Sequence, residues 1–278
     1  MDVTLAQERV FVLDERLSFD EIQQRAMDRR IQAFGSGIGA LLQRPKPDEI
    51  TLVAKQRRLE PMWHVSGRAV YVYERDRDYN VPPSAPDVDA ITVNGTRYDS
   101  QPSGQRVFRV PAREHCRSEF TGEAFVDALT GTPVADDATL MASPRTEVTD
   151  IASLANDGTV VMPPEQRASY VVRQLMTDIM KPVQADTMLE ESVALETTDL
   201  LYRPWWAFEF TWQGKGKQGV VEIDAVTGQT RQGKALVSTI RSILTRDVLF
   251  DVGADTVGLL VPGGSIAVKL AKAAMDRK

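Results

Sequence analysis

Two stretches of the chain carry apolar residues at the spacing of an amphipathic helix. In the first stretch, residues 17–34, Ser18 stands at the position of the N-cap and Glu21 follows three positions later. This is a capping-box pattern, which satisfies free N–H groups of a first helical turn. Residues 164–180 begin with a proline, and six apolar side chains fall on one face: Tyr170, Val171, Val172, Leu175, Met176 and Ile179. The pattern therefore predicts one helix in each half of the chain.

In each half the predicted helix is followed by three runs of strand-like composition. The runs of the first half are residues 50–54, 65–73 and 91–95, and those of the second half are residues 192–196, 205–212 and 221–224. Pro61 and Trp63 match Pro204 and Trp206, which stand 143 residues later. The shared order predicts an α+β fold made of two related helix-plus-antiparallel-sheet units.

The second half ends in a more specific pattern. An aromatic run over residues 202–210 and a polar loop lead to Asp224-Ala225-Val226-Thr227-Gly228-Gln229. Residues 164–233 thereby resemble the PepSY domain, whose last strand ends in Asp-Ala-x-Thr-Gly-Glu. The resemblance implies a small binding or regulatory module, in which Asp224 and Gly228 shape the final turn. We interpret the first half as a diverged copy, with Asn94-Gly95 where the Asp-Ala-x-Thr-Gly run would stand. The residues expected to define the fold are Pro61, Trp63, Pro204, Trp206, Asp224 and Gly228.

Composition along the chain predicts four parts. These are a helix-plus-sheet unit over residues 1–119, an acidic linker rich in small residues over 120–160, a PepSY-like unit over 161–235 and a helical, Gly/Ala-rich tail over 236–278. The tail either folds back over the sheets, or contacts a partner protein, or lies on a membrane surface. For the last two roles the predicted contact residues are Leu259, Leu260, Val261, Ile266, Lys269 and Lys272.

Charge is distributed unevenly along the 278 residues. The chain has 33 basic and 39 acidic residues, a net charge of −6, which makes nucleic acid an unlikely partner. Residues 120–200 carry 4 basic and 14 acidic residues, whereas residues 201–278 carry 11 and 7. We expect a cytoplasmic protein, peripheral to the membrane if its tail binds lipid, because the start of the chain lacks the apolar core of a secretory signal.

Few side chains with catalytic chemistry are present. One cysteine, Cys116, excludes an internal disulfide framework, and the two histidines His64 and His115 exclude a His-rich metal site. We therefore predict no cofactor and no metal. Arginines flank Cys116, a setting that favours a reactive thiol, so a hydrolase or transferase using Cys116 with a histidine is one alternative.

The function that the sequence favours is binding. We expect a non-enzymatic accessory or regulatory protein that binds another protein, or itself, through its sheets and its C-terminal tail. The alternatives are a peripheral membrane protein attached through residues 248–278, and the Cys116 enzyme.

Overall fold

In a computed structural model, the chain is described over residues 1–35, 45–100, 106–135, 137–233, Phe250 and 267–270. Over these residues the protein is mixed α and β, mostly sheet with few helices. The helices are α1 (Phe19–Arg29), α2 (Asp137–Met141) and α3 (Ala168–Ile179). The strands are β1 (Asp2–Leu5), β2 (Glu8–Leu13), β3 (Ile50–Val81), β4 (Ala90–Val93), β5 (Thr96–Asp99), β6 (Phe108–Asp127), β7 (Arg145–Glu147), β8 (Val160–Val161), β9 (Thr187–Trp212), β10 (Lys217–Asp224), β11 (Thr230–Gly233) and β12 (Ala267–Leu270).

Two long antiparallel strands, β3 and β9, form the middle of a large sheet. Their pairing places Glu60 opposite Arg203, two residues that are also 143 positions apart in the sequence. β6 pairs with the far side of β3, and β10 pairs with the far side of β9. The order β6–β3–β9–β10 therefore reads alike from either end, with the Glu60–Arg203 pair at its centre.

The shorter strands extend both flanks of this central group. β1 and β2 run parallel to β9, and β8 runs parallel to β3. β7 pairs with β2, β11 with β10, and β12 with β1. β4 and β5 form a separate two-stranded sheet.

Each of the two longer helices covers one hairpin of the sheet. α3 packs on β3 and β6, where Val171, Leu175 and Ile179 join a core that contains Trp63. α1 packs on β9 and β10, where Ile22 and Ala26 meet Phe208, Phe210 and Ile223. The helix from the first half of the chain thus covers the hairpin of the second half.

The turns that follow β6 and β10 have the same backbone hydrogen bonds. In the first turn, the Gly131 N–H donates to the Asp127 carbonyl at 2.8 Å, and in the second the Gly228 N–H donates to the Asp224 carbonyl at 2.9 Å. Both glycines have positive φ, 75° and 77°, which favours glycine. The Asp Oδ1 accepts a backbone N–H two residues on at 2.8 Å in both turns.

The same turns form backbone hydrogen bonds to the two strand prolines and to the residues before the helices. The Ala128 N–H donates to the Pro61 carbonyl, and the Ala225 N–H donates to the Pro204 carbonyl, both at 3.0 Å. The Ala128 carbonyl accepts the N–H groups of residues 165 and 166 before α3, and the Ala225 carbonyl accepts those of residues 16 and 17 before α1. Each hairpin is therefore tied to its covering helix by the same contacts.

Several predicted elements are confirmed. The capping box is present at α1, with the Glu21 N–H donating to Ser18 Oγ at 3.3 Å and the Ser18 N–H donating to Glu21 Oε2 at 2.8 Å. The second predicted helix is α3. The predicted runs 50–54 and 65–73 are parts of one strand, β3, and runs 192–196 and 205–212 are parts of β9.

The prolines do not break these strands, because each one faces a turn. The carbonyls of Pro61 and Pro204 point to Ala128 and Ala225, so the missing N–H group points the same way and leaves the β3–β9 ladder intact. Residues 91–95 form the β4–β5 hairpin, outside the large sheet, so Asn94-Gly95 does not occupy the place of the final turn.

Two expected boundaries differ from the structure. Residues 120–127 belong to β6, because they pair with β3, and not to a linker. Residues 267–270 of the tail form β12 beside β1 where a helix was expected, since hydrogen bonds along the edge of β1 outweigh local helix propensity. Phe250 packs against Trp63 with ring centroids 5.4 Å apart. The rest of the tail lies outside the described residues.

Candidate functional site

A charged cleft lies beside the Glu60–Arg203 pair at the centre of the sheet. It encloses about 220 Å³. Its lining includes both prolyl and charged groups from the two hairpins: Glu60, Pro61, Met62, Asp127, Thr132, Pro133, Val134, Ala135, Arg203, Trp205, Gln229 and Arg231. The cleft therefore joins residues of the first and the second half of the chain.

The arginines of this cleft already have partners within the chain. Arg203 Nε donates to Asp224 Oδ2 at 2.9 Å, and Arg231 Nε donates to Glu222 Oε2 at 2.6 Å. Arg231 Nη2 also donates to Glu60. The ring of Trp205 lies 5.1 Å from the guanidinium carbon of Arg203 and 3.9 Å from that of Arg231. These contacts cross-link β3, β9, β10 and β11.

The position of Glu60 in the cleft changes the pKa of its carboxyl. Burial raises the pKa of its carboxyl, and the neighbouring Arg231 guanidinium only partly offsets that rise. Arg58 extends the same network, because its Nη1 donates to Glu222 Oε1 at 2.5 Å in the interior. The charged residues of this network are therefore paired with one another, and ion pairs between them link the two hairpins.

A different kind of surface lies on the far side of β6. The Val134 N–H donates to the Phe125 carbonyl at 3.0 Å, and the Asp127 N–H donates to the Thr132 carbonyl at 2.9 Å. Residues 125 and 127 thus direct their backbone groups away from β3. The β3–β6 register is regular along its length, so every odd-numbered residue of β6 does the same.

Over most of its length, the outward edge of β6 has no strand beside it in the part of the chain that the structure describes. Among the described residues, β6 pairs only with β3, apart from the contacts of residues 132–134 at its C-terminal end. Residues 109–123 consequently present a row of outward N–H and C=O groups. Pro111 is an outward residue without an N–H group, the position at which a strand tolerates proline.

The side chains of the outward residues form an exposed, charged row. All eight odd-numbered residues from 109 to 123 are exposed. Basic and neutral residues come first and acidic residues last: Arg109, Pro111, Arg113, His115, Arg117, Glu119, Thr121 and Glu123. Even-numbered residues face α3, and a Cβ on Gly122 would lie 2.6 Å from Ile179 Cγ2. We call residues 109–123 the open edge.

The structure does not bring Cys116 and the histidines together. Cys116 packs at the border of the α3 core, while His115 lies on the other face with Nδ1 3.0 Å from Glu74 Oε1. His64 is opposite Phe125, and Cys116 lies nine residues before Phe125, about 30 Å away at ~3.3 Å per residue. A nucleophile–base pair of Cys116 with either histidine has no support in this geometry.

His64 has a setting that the sequence did not indicate. It is buried, and its Nε2 lies 2.7 Å from Glu123 Oε1, while Nδ1 has no hydrogen-bond partner among the described residues. The buried Asp199 is its cross-strand neighbour, and Arg9 binds both oxygens of that carboxylate at 3.0 Å. The Arg9–Asp199 pair links β2 to β9. The His64–Glu123 contact lies at the C-terminal end of the open edge.

The residues expected to define the fold lie at the turns and beneath the helices. Trp63 Nε1 donates to the Gln166 carbonyl at 2.8 Å, and Trp206 Nε1 donates to Glu15 Oε2 at 3.2 Å, so each indole binds the segment before a covering helix. Of the predicted tail contacts, Lys269 lies in β12 opposite Thr4. Leu259, Leu260, Val261, Ile266 and Lys272 lie outside the described residues.

The sequence reasoning missed a second copy of the turn motif. Asp127-Ala128-Leu129-Thr130-Gly131 matches Asp224-Ala225-Val226-Thr227-Gly228 at four of five positions, at an offset of 97 residues. The expected offset was 143. The difference of 46 arises because Asp127 lies 66 positions after Pro61, whereas Asp224 lies only 20 positions after Pro204: the strands of the first hairpin and the connection between them are all longer. A search for the five-residue pattern alone would have found it.

Comparison of the chain with models of protein families, with curated proteins and with solved structures found no match. Among the described residues, no helix has the length and apolar character needed to cross a membrane. The same part of the chain contains no group of three or more His, Cys, Asp or Glu side chains placed to hold a metal ion.

Proposed function

We propose that this protein is a non-enzymatic accessory or regulatory protein that binds another protein by taking a strand of that partner against the open edge. The observation that carries the proposal is the row of outward backbone groups on β6, with all eight outward side chains exposed. Strand addition uses such groups for affinity and the neighbouring side chains for specificity.

The proposal includes an internal duplication. In this proposal the chain contains two PepSY-like units, each a β-hairpin with an Asp-Ala-x-Thr-Gly turn, and each hairpin is covered by the helix of the other half of the chain. Support comes from the second turn motif at residues 127–131 and from the matched hydrogen bonds of Ala128 with Pro61 and of Ala225 with Pro204. The resemblance favours a binding role for both units.

The open edge suits a protein partner better than the charged cleft does. In the cleft, Arg203 and Arg231 are already paired with carboxylates, so a ligand would have to displace these contacts. On the open edge, Arg117 and Glu119 are exposed to water, and their shortest ion-pair distance to any described residue is 3.8 Å. Their charges remain available to an added strand.

The test compares two variants of one residue. His115→Pro removes an outward N–H group and places a ring against the incoming strand, whereas His115→Ala removes the same side chain and keeps the N–H group. With the full-length tagged chain as bait, we expect His115→Pro to lower the amount of captured partner about tenfold, equivalent to ~1.4 kcal/mol, relative to His115→Ala. Quantitative mass spectrometry of the captured proteins measures the ratio.

Both variants should keep the melting temperature of the native chain within a few degrees, since the outward N–H of His115 takes no part in the β3–β6 ladder. Equal capture by the two variants, with both folded, would contradict strand addition at the open edge.

A further inference from the structure

We infer that the strand added to the open edge is β6 of a second copy of this chain, so that two molecules join their sheets across a two-fold axis. This inference rests on the proposed function and names its partner. A strand that pairs antiparallel with its own copy makes an isologous interface, in which each contact occurs twice.

The charge order along the open edge is complementary to itself. Arg109, Arg113 and Arg117 occupy the N-terminal part, and Glu119 and Glu123 occupy the C-terminal part. An antiparallel copy reverses this order and sets the basic part against the acidic part. Opposite charges directly across an antiparallel pair stabilise it, and like charges destabilise it.

Hydrogen bonding restricts the register of such a pair. The odd-numbered residues carry the outward N–H and C=O groups, so odd must face odd. Two of the allowed registers place an arginine opposite a glutamate in two different residue pairs, each of which occurs twice. One is centred on Cys116 and the other on Ser118. The register centred on Arg117 sets two arginines face to face, and the register centred on Glu119 does the same with two glutamates.

The register centred on Ser118 fits the edge best. It places Arg117 opposite Glu119 and Arg113 opposite Glu123, each twice, whereas centring on Cys116 sets His115 opposite Arg117. It also places Pro111 opposite Phe125, so the missing N–H of Pro111 meets a carbonyl that Val134 already occupies. The paired span is then residues 113–123, where no outward hydrogen bond is lost.

Of the charged residues in this contact, Arg117 and Glu119 have the weakest ion pairs within their own chain. Arg113 contacts Asp76 at 2.9 Å and Glu123 contacts His64 at 2.7 Å within the chain. Among the described residues, the shortest ion-pair distances of Arg117 and of Glu119 are 3.8 Å. Charge reversal at residues 117 and 119 therefore tests association with little effect on the fold.

The first experiment uses two single reversals. Arg117→Glu gives an edge with acidic residues at both positions, and Glu119→Arg gives one with basic residues at both. Each variant alone should self-associate at least about tenfold more weakly than the native chain, because like charges then face each other. An equimolar mixture should form a heterodimer with the native dissociation constant. Sedimentation velocity over a range of protein concentrations measures the dissociation constants of the native chain, of each variant alone and of the mixture.

Arg97 provides the matched control. It forms an exposed pair with Asp99 two residues along β5, in the separate two-stranded sheet. Arg97→Glu should leave self-association unchanged. A native chain that stays monomeric up to about 1 mM, a mixture that remains monomeric, or an effect of Arg97→Glu equal to that of Arg117→Glu would each overturn the inference.

A crosslink tests the register. Ser118 faces its own copy in a pair of closely spaced Cα atoms, so Ser118→Cys in a Cys116→Ala chain should form an intermolecular disulfide under mild oxidation. The native chain, with Cys116 alone, should crosslink much more slowly. The reverse order of rates would overturn the register centred on Ser118.

The inference and the proposed function fail in distinguishable ways. A monomeric chain whose capture of a different protein still depends on His115→Pro would overturn self-association and leave strand addition at the open edge in place. Capture that ignores His115→Pro would instead remove the proposed function.

Discussion

The two hairpins of the large sheet share a turn and differ at their outer edges. After β10, residues 230–233 turn back as β11 and pair with residues 220–223. After β6, residues 132–134 begin the same return and bond to residues 125–127, but this pairing ends at Val134 and the chain leaves toward α2. One hairpin thus closes half of its eight-residue edge strand, and the other leaves the open edge on a strand of 20 residues.

The interior of the two turns differs as well. Arg203 binds the buried Asp224, whereas the residue at the matching place beside Asp127 is Glu60. The second turn therefore holds a buried ion pair, while the first brings two carboxylates close together. The comparison shows how one backbone design supports a closed structural hairpin and an extended hairpin with an available edge.

The largest expected difference between the hairpins concerns the two aspartates. Asp224→Ala removes the carboxylate partner of the buried Arg203 guanidinium, and we expect it to lower the free energy of unfolding by about 3–5 kcal/mol. Asp127→Ala removes hydrogen bonds to the N–H groups of Leu129 and Thr130, and we expect a loss of about 1–2 kcal/mol. Urea denaturation measures both, and equal losses would contradict the assigned difference.

Two matched glycines give the next comparison. A Cβ at Gly219 would lie 2.4 Å from the backbone oxygen of Ala33, and a Cβ at Gly122 would lie 2.6 Å from the side chain of Ile179. Because a side chain can move more easily than a backbone, Gly219→Ala should cost more than Gly122→Ala, within the usual range of about 1–3 kcal/mol for overpacking. Thermal unfolding of the two variants decides the order. A larger cost at Gly122 would count against this packing.

The smallest expected effect concerns the start of α1, which covers the closed hairpin. Hydrogen bonds from Ser18 lower the pKa of Glu21 below its ordinary value of 4.5, so the ionised carboxylate stabilises the fold at neutral pH. This contribution is lost as the pH falls from 4.5 through the lowered pKa. Ser18→Ala should cost about 1 kcal/mol at pH 7. Glu21→Gln should lie below the native chain in stability at pH 7 and approach it at pH 3. A gap that is independent of pH would contradict the capping box.

Local signals in the sequence predicted the local structure well. Ser18 and Glu21 act within one helical turn, so their pattern needs no knowledge of the rest of the fold. Pro61 and Pro204 misled the division into short strands, because their tolerance depends on Ala128 and Ala225, which are distant in sequence. The strand character of residues 267–270 likewise depends on the position of β1.

The open edge could not be predicted from the sequence. The alternation of charged residues from 109 to 123 is compatible with an inner or an outer strand exposed on one face. Only the pairing of β6 with β3, and the end of the return pairing at Val134, show that this strand is the outermost one along residues 109–123 among the described residues.

Amide hydrogen exchange tests the central claim most directly, because it reports the outward and inward N–H groups of β6 separately. In dilute protein, the odd-numbered amides from 113 to 123 should exchange fast, while the inward even-numbered amides, bonded to β3, stay protected. At concentrations where the chain associates, the odd-numbered amides should become protected as well. Odd-numbered amides that are already protected in the dilute chain, or that stay unprotected in the associated one, would contradict a strand-binding open edge.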